Sequence, residues 1–348
     1  PVLTIDEKNS FKINGEFYFP MTPFLLGESN LPSYISEGGV NGTFMYYDDI
    51  INSDTWGTFL DVVATYHLYA IGPGAHTCKQ TYIPSGGNYW KMNHDPDCMV
   101  DYVTANKSKP YMFGWNWQDE VNLGGDSEKV YPPTVAAWAY AARHKAGDYA
   151  HFSHQGFVGS DWSRYYGTGI RRYDYLTSDM WFGGKKWVQD FLGYDTYPVT
   201  QQLYPIQNCV GQYCATTGQS VLDLKMGTYA VAMESIDRFI SNNKNLVPFM
   251  PASQPCKGGT PLYVTSNQIY MENWLNIIHG AKGIVWFNYF IFPVYGRFDA
   301  MKRFSDSITA DRGSGTRLLD VFLGAPSTRT ITDTANPTNT HHVDYAQN

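Results

Sequence analysis

Tyr111–Gly125, YMFGWNWQDEVNLGG, opens as an apolar, aromatic run of strand length and ends abruptly in Asp119 and Glu120 before dissolving into Asn, Gly and Gly. That pattern describes a buried strand delivering two adjacent carboxylates to a mouth. Neighbouring residues on a strand face opposite ways. One carboxylate at most therefore looks straight at a bound substrate, unless the strand's end splays the other round beside it. The plainer alternative makes Asp119 a helix cap and Glu120 a solvated rim charge.

Working outward, the chain alternates between short apolar runs and amphipathic segments. Toward the N-terminus, FKING (Phe11–Gly15) reads as a strand and turn, and FYFPMTPFLL (Phe17–Leu26) as a first long strand. VNGTFMYY (Val40–Tyr47) is a second, closing on Asp48 and Asp49, and Ala70–Ala75 a third, with His76 at its end. Residues Thr55–Tyr69 and Cys98–Asn106 carry the i, i+3, i+4 spacing of helices. After the carboxylates, TVAAWAYAARHK (Thr134–Lys145) predicts a helix, and YAHFSHQGF (Tyr149–Phe157) a fifth strand that brings His154 and Gln155 near its end. WVQDFLGYDTYPV (Trp187–Val199) is the sixth, ending on Asp195 and Tyr197 before a proline that no central strand accepts. A helix follows over Val221–Ile240. LVPFMPA (Leu246–Ala252) is the seventh strand, with Ser253 and Gln254 at its lip, and GIVWFNYF (Gly283–Phe290) the eighth. Helices are read over Asn267–His279 and from Phe298 to Ile308. Eight strands in series with helices between most of them predict an α/β chain of the (β/α)8, or TIM, barrel class. The absence of a Gly-x-Gly-x-x-Gly turn after the first strand disfavours a doubly wound dinucleotide fold. We expect one catalytic barrel over residues 1–324 and a polar tail, linker or start of an accessory element over residues 325–348.

Composition narrows the partners. The 348 residues hold 16% charged and 16% aromatic side chains, including 10 Trp and 27 Tyr. Such a balance favours apolar, hydrogen-bonding clefts of the kind that bind sugars. With 25 Lys and Arg against 32 Asp and Glu the net charge is −7, and no basic run exists to track a phosphate backbone. Nucleic acid is not expected. No apolar run is long enough to span a membrane, and a monomer is expected.

Five cysteines bear on the compartment. Cys209 and Cys214 bracket a short turn, and Cys78 and Cys98 a loop rich in Gly, Pro and Asn, which predicts two stapled surface loops with Cys256 left over. Five free thiols in a cytosolic protein is the rival reading. Asn41-Gly-Thr and Asn106-Lys-Ser match the glycosylation acceptor pattern. Together with an opening at Pro1, without a signal segment, these features predict a secreted, extracellular protein in mature or trimmed form.

In barrel enzymes the reacting groups stand at the carboxyl ends of the strands. Here those ends collect Asp48, Asp49, Asp119, Glu120 and Asp195, surrounded by Trp117, Tyr197, Trp286, Asn288 and Tyr289. His76, His94 and His154 raise the question of a metal. No HxH or HExxH pair is present, and neither a metal nor another cofactor is expected. No Gly-x-Ser-x-Gly elbow presents a serine nucleophile. Carboxylate chemistry with aromatic platforms remains.

In these features the chain resembles the barrel glycoside hydrolases, from Phe11 to about Ile308. The resemblance is carried by FKINGEFYF (Phe11–Phe19), WNWQDE (Trp115–Glu120), GYDTYP (Gly193–Pro198) and HGAKGIVWFNYF (His279–Phe290), in that order. It implies cleavage of O-glycosidic bonds in a poly- or oligosaccharide, with Glu120 as acid/base and Trp286 as an aromatic floor. Asp49, His76, Trp117, His154, Gln155, Tyr197, Gln254, Asn288 and Tyr289 join Trp286 as expected substrate contacts. The large retaining clan carries its nucleophilic Glu at the end of strand seven, where this chain has Ser253 and Gln254. Three mechanisms follow. Asp195, or Asp48 or Asp49, supplies the second carboxylate at the wider spacing of inverting enzymes. Alternatively the Asp119–Glu120 pair serves a substrate-assisted, N-acetylhexosaminidase-like reaction. Finally, Gln254 is an engineered Glu that traps substrate. A barrel that binds glycans without cleaving them is the non-enzymatic alternative.

Overall fold

The eight apolar runs all become strands, and they join one sheet. The computed structural model describes residues 1–24, 31–44, 53–73, 81–82, 90–91, 97–117, 132–158, 189–195, 248–253, 265–287, 298–310, 317–318 and 323. In chain order the elements are β1 Leu3–Ile5, β2 Phe11–Ile13, β3 Glu16–Phe17, β4 Met21–Pro23, α1 Leu31–Gly38, β5 Gly42–Phe44, α2 Ser53–Thr65 and β6 Tyr69–Pro73. They continue with β7 Thr81–Tyr82, β8 Trp90–Lys91, α3 Cys98–Asn106, β9 Met112–Asn116, and α4 Pro132–Tyr140 with a π-helical turn over Ala141–Lys145. Then follow β10 Phe152–Val158, β11 Phe191–Asp195, β12 Phe249–Ser253, α5 Ser266–Ile278, β13 Ile284–Trp286 and α6 Phe298–Thr309.

The large sheet has the order β4-β13-β12-β11-β10-β9-β6-β5, and every pairing within it is parallel. Each strand lies beside its predecessor in the series, and the two outer strands meet through one parallel bridge, Phe24 with Phe44. The sheet curls far enough for its edges to touch there. Burial on both faces explains why these strands read as continuous apolar runs rather than alternating ones; all five residues of β9 are buried.

Two apolar clusters mark the two faces. Inside the curl are Phe24, Phe44, Ile71, Phe113, Phe152, Phe191, Met250 and Val285. Between sheet and helices lie Met21, Ala70, Met112, Trp115, Trp117, Leu192, Ile284 and Trp286, with Phe298, Met301, Phe304 and Ile308 of α6. Their i, i+3, i+6, i+10 spacing puts the apolar stripe of α6 on the sheet.

The amino-terminal hairpin closes the interior from below. Asn14 and Gly15 take φ of 53° and 87°, the left-handed pair that an Asn-Gly hairpin turn requires. The turn returns β3 onto β2, and β1, which the sequence reading missed, pairs with β2 on its other side. Phe11 is thereby driven among Phe113, Phe152 and Phe191, at ring-centroid distances of 5.2, 5.7 and 5.3 Å. Those three sit at the starts of their strands, so Phe11 plugs the amino end.

Two expectations change. Helix α1 was not foreseen, because Pro32, Ser33, Ser36, Gly38 and Gly39 look like turn residues and mask an eight-residue helix that buries Leu31 and Tyr34. The glycosylation reading is overturned at both sites. Asn41 donates Nδ2 to Phe19 O at 2.8 Å while its Oδ1 accepts from Met21 N, and Asn106 is buried with Nδ2 on Tyr102 O at 3.0 Å. An acceptor nitrogen engaged in this way is not open to a glycan. The stapled loops cannot be followed: Cys78, Cys209, Cys214 and Cys256 lie outside the described residues, Cys98 opens α3, and no disulfide occurs among the described residues. The expected helix Val221–Ile240 and the tail 325–348 also lie outside them.

Candidate functional site

Because the strands are parallel, their carboxyl ends lie on one side. The described residues there include Asn116, Trp117, Asp195, Ser253, Trp286 and Phe287; His154 and Gln155, expected near the end of the fifth strand, are instead the third and fourth of its seven residues, because the strand runs on to Val158. Asp48, Asp49, His76, Asp119, Glu120, Tyr197, Gln254, Asn288 and Tyr289 lie outside the described residues.

His154 is the best-defined polar group of the sheet's interior. Strand pairing sets it opposite Asn116 of β9 and Phe191 of β11. Its Nδ1 is 2.9 Å from Asn116 Oδ1. An amide oxygen only accepts, so Nδ1 carries the proton and Nε2 keeps a lone pair. Aromatic rings enclose the imidazole, Phe191 at 4.6 Å and Phe44 edge-on at 5.0 Å. A Cβ on Gly193 would lie 2.7 Å from Nε2, so only glycine at that position seats the ring. Burial pushes the imidazole pKa down to about 3, and the ring is neutral at any physiological pH. Neither Nε2 nor Asn116 Nδ2 has a hydrogen-bond partner among the described residues. The sequence reading selected His154 but missed Asn116, which looked like one more residue of an aromatic strand.

Two expected sugar platforms face the wrong way. Trp117 is fully buried in the layer between sheet and helices, and so is Trp286, whose ring meets Phe304 of α6 at 6.3 Å. Both have a physical cause. Between β6 and β9 the register slips, pairing Ala70 with Met112 but Ile71 with Gly114. Phe113 is the extra residue, and it inverts the alternation beyond it. Without the bulge the parity of Phe113 would carry Trp115 and Trp117 inward; with it, Trp115 turns out onto Tyr102 of α3, and Asn116 turns in. On β13 the alternation is regular. Ile284 and Trp286 pack outward while Val285 and Phe287 join the interior, Phe287 at 5.3 Å from Phe24. The interior aromatic of strand eight is therefore one residue later than the resemblance implied.

Gln155 is likewise buried, next to His154 and on the opposite face of β10, with Nε2 donating to Gly156 O at 3.0 Å. Asp195 is the last residue of β11, in register with Val158 and Ala252. Among the described residues no group of three or more His, Cys, Asp or Glu side chains is arranged to hold a metal ion, and no helix is long and apolar enough to cross a membrane.

No family model matches this sequence, and no curated protein matches it. Solved structures do. The β-mannanase of the blue mussel Mytilus edulis aligns over 91% of this chain and 98% of its own, with a TM-score of 0.52 at 10% identity. Endo-glycoceramidase II from Rhodococcus sp. aligns over 82% of this chain and 75% of its own, with a TM-score of 0.50 at 10% identity. The likeness is one of fold.

Proposed function

We propose that this protein is a glycoside hydrolase on a (β/α)8 barrel, with a poly- or oligosaccharide as substrate. The observation that carries the reading is topological. β9 and β11 run parallel, two places apart in one sheet, so the chain leaves both on the same side. One ends in Asp195, and Asp119 and Glu120 follow the other. Parallel sheets of this kind carry their chemistry at that end, and the two solved structures sharing the fold are by name a β-mannanase and an endo-glycoceramidase.

In this reading Glu120 protonates the departing glycosidic oxygen as the bond to the anomeric carbon breaks, and Asp195 takes the proton of the water that attacks that carbon. Asp119 replaces Asp195 as the helper if an acetamido group of the substrate is the nucleophile. A glycan-panel digestion with the anomeric configuration of fresh products followed by NMR tests the reading. Glu120→Gln should lower turnover on a natural glycan by about 10² to 10⁴, the usual worth of general acid help, while sparing an aryl glycoside whose leaving group needs no proton. Full activity of that variant on the natural glycan would remove Glu120 from the role, and Asp195→Asn would be examined next.

A further inference from the structure

Three exposed rings stand together where the helix after β9 hands the chain on to β10. Tyr140 closes α4, His144 follows in the π-helical turn, and Tyr149 stands on the loop beyond; π-helical turns of this kind recur at functional sites. Tyr140 and His144 stack at 4.5 Å with 32° between their planes. Tyr149 meets His144 edge-on at 5.6 Å, with its hydroxyl 2.9 Å from Nδ1. The backbone beneath them is fixed. Asp148 N donates to Ala142 O at 3.0 Å, and the Asp148 carboxylate accepts from Trp115, His151 and the Ala150 N–H. Yet the rings face water, Tyr140 being 40% and Tyr149 69% exposed, so they add little to folding. Aromatic side chains held in one arrangement at the surface are pre-organised for contact.

Charge and size select the ligand. The cations around the rings are engaged, Lys145 with Asp97, Arg143 with Asp190, and Lys107 through Nζ with Ala146 O, which leaves little to attract a phosphate or an anionic lipid surface. A stable contact with a second protein needs about 800 Å² on each side, far beyond three rings on one turn. A sugar needs only one or two rings, since its C–H face lies flat on an aromatic face while its hydroxyls reach a phenol or imidazole alongside. We infer that Tyr140, His144 and Tyr149 form a glycan-holding site on the outer surface, separate from the catalytic mouth. The loop carrying Tyr149 leads into the start of β10, so the site lies toward the amino ends of the strands, whereas Asp195 closes β11 at the opposite end. This rests on the glycosidase reading and narrows its substrate. A second hold so far from the mouth suits a polysaccharide and is of no use to a short oligosaccharide.

The test is electrophoresis of the full chain through native gels holding galactomannan, galactan or laminarin. Wild type should be retarded by at least one polymer. Tyr140→Ala and Tyr149→Ala should each weaken that retention about tenfold, the upper end of what one aromatic contact supplies, with the thermal midpoint near that of wild type. In ¹⁵N-histidine-labelled protein, oligosaccharides of the retarding polymer should shift the His144 signals. Hydrolysis of a polymer by wild type, with both variants retained as strongly as wild type and His144 unmoved, overturns this site and leaves the glycosidase reading standing. Retention that the variants lose, with no hydrolysis of any glycan, overturns the glycosidase reading and leaves the site standing. A wild type retarded by none of the three polymers overturns the site. Variants that alter sedimentation or binding to phosphatidylserine vesicles, with retention unchanged, assign the rings to another partner and overturn it as well. If Tyr149→Ala fails to fold, Tyr140→Ala and the wild-type His144 signals decide.

Discussion

Asp148 has almost no contact with solvent, and everything it touches is a donor. Trp115 Nε1 lies at 2.7 Å, His151 Nδ1 at 2.9 Å and the Ala150 N–H at 3.2 Å. Burial alone would raise its pKa; the bond and charge of His151, with the donors from Trp115 and Ala150, outweigh it and hold the carboxyl below its usual value. A folded pKa below the unfolded one stabilises the protein above about pH 4 and loses that contribution as pH falls through the folded value. Urea midpoints should therefore fall on acidification below about pH 4. Asp148→Asn should cost about 1–3 kcal/mol at neutral pH and flatten that decline. Lys282 works with the opposite sign. Burial, opposed by Asp6 and aided by Lys8, pulls its ammonium down to about 8, and Nζ donates to Leu323 O at 3.1 Å. From about pH 8 to about 10 the unfolded chain holds a proton that the folded one has released, so stability should rise with pH there. The rise ends near pH 10, where tyrosines begin to ionise in the unfolded chain while burial holds Tyr18 and Tyr102 well above that value. Lys282→Met should be flat across the window. Residues of this kind were illegible in the sequence, because Asp148 and Asn116 acquire their meaning from partners across the sheet. His154 was legible because it is a polar break within an apolar run.

At the scale of elements, the strands were readable for a simple reason: each is a short apolar run closed by Pro, Gly or a polar cluster, which is what burial on both faces demands. Their facing was not. One inserted residue, Phe113, decides which of Trp115, Asn116 and Trp117 looks inward, and nothing in YMFGWNWQDE signals the insertion. Helix α5 shows how well a local signal can serve. Gln268 N donates to Thr265 Oγ1 at 3.2 Å, and Thr265 N to Gln268 Oε1 at 2.8 Å, a reciprocal capping box. Thr265→Ala should lower stability by about 1 kcal/mol, and Thr265→Gly by only a few tenths, measured by urea denaturation. A larger loss would mean that the cap also anchors the loop before it.

For the molecule as a whole, order along the chain is order in the sheet, and that regularity is why a series of eight runs sufficed to anticipate the topology. The exception is the closure, where Met21, Thr22 and Pro23 pair with Ile284, Val285 and Trp286, more than two hundred and sixty residues away. Contacts of such separation are slow to form, since a long loop must be closed before they repay it. A chain cut before β13 should therefore fail to refold and should aggregate on dilution from urea, whereas the full chain recovers its tryptophan emission. The same closure sets a timetable for synthesis. β4 leaves the ribosome more than two hundred and sixty residues before its β13 neighbour, and the Phe11 plug waits on Phe191. During that interval the nascent chain carries an open edge and an uncovered phenylalanine, which makes it a client for chaperones that bind extended apolar segments.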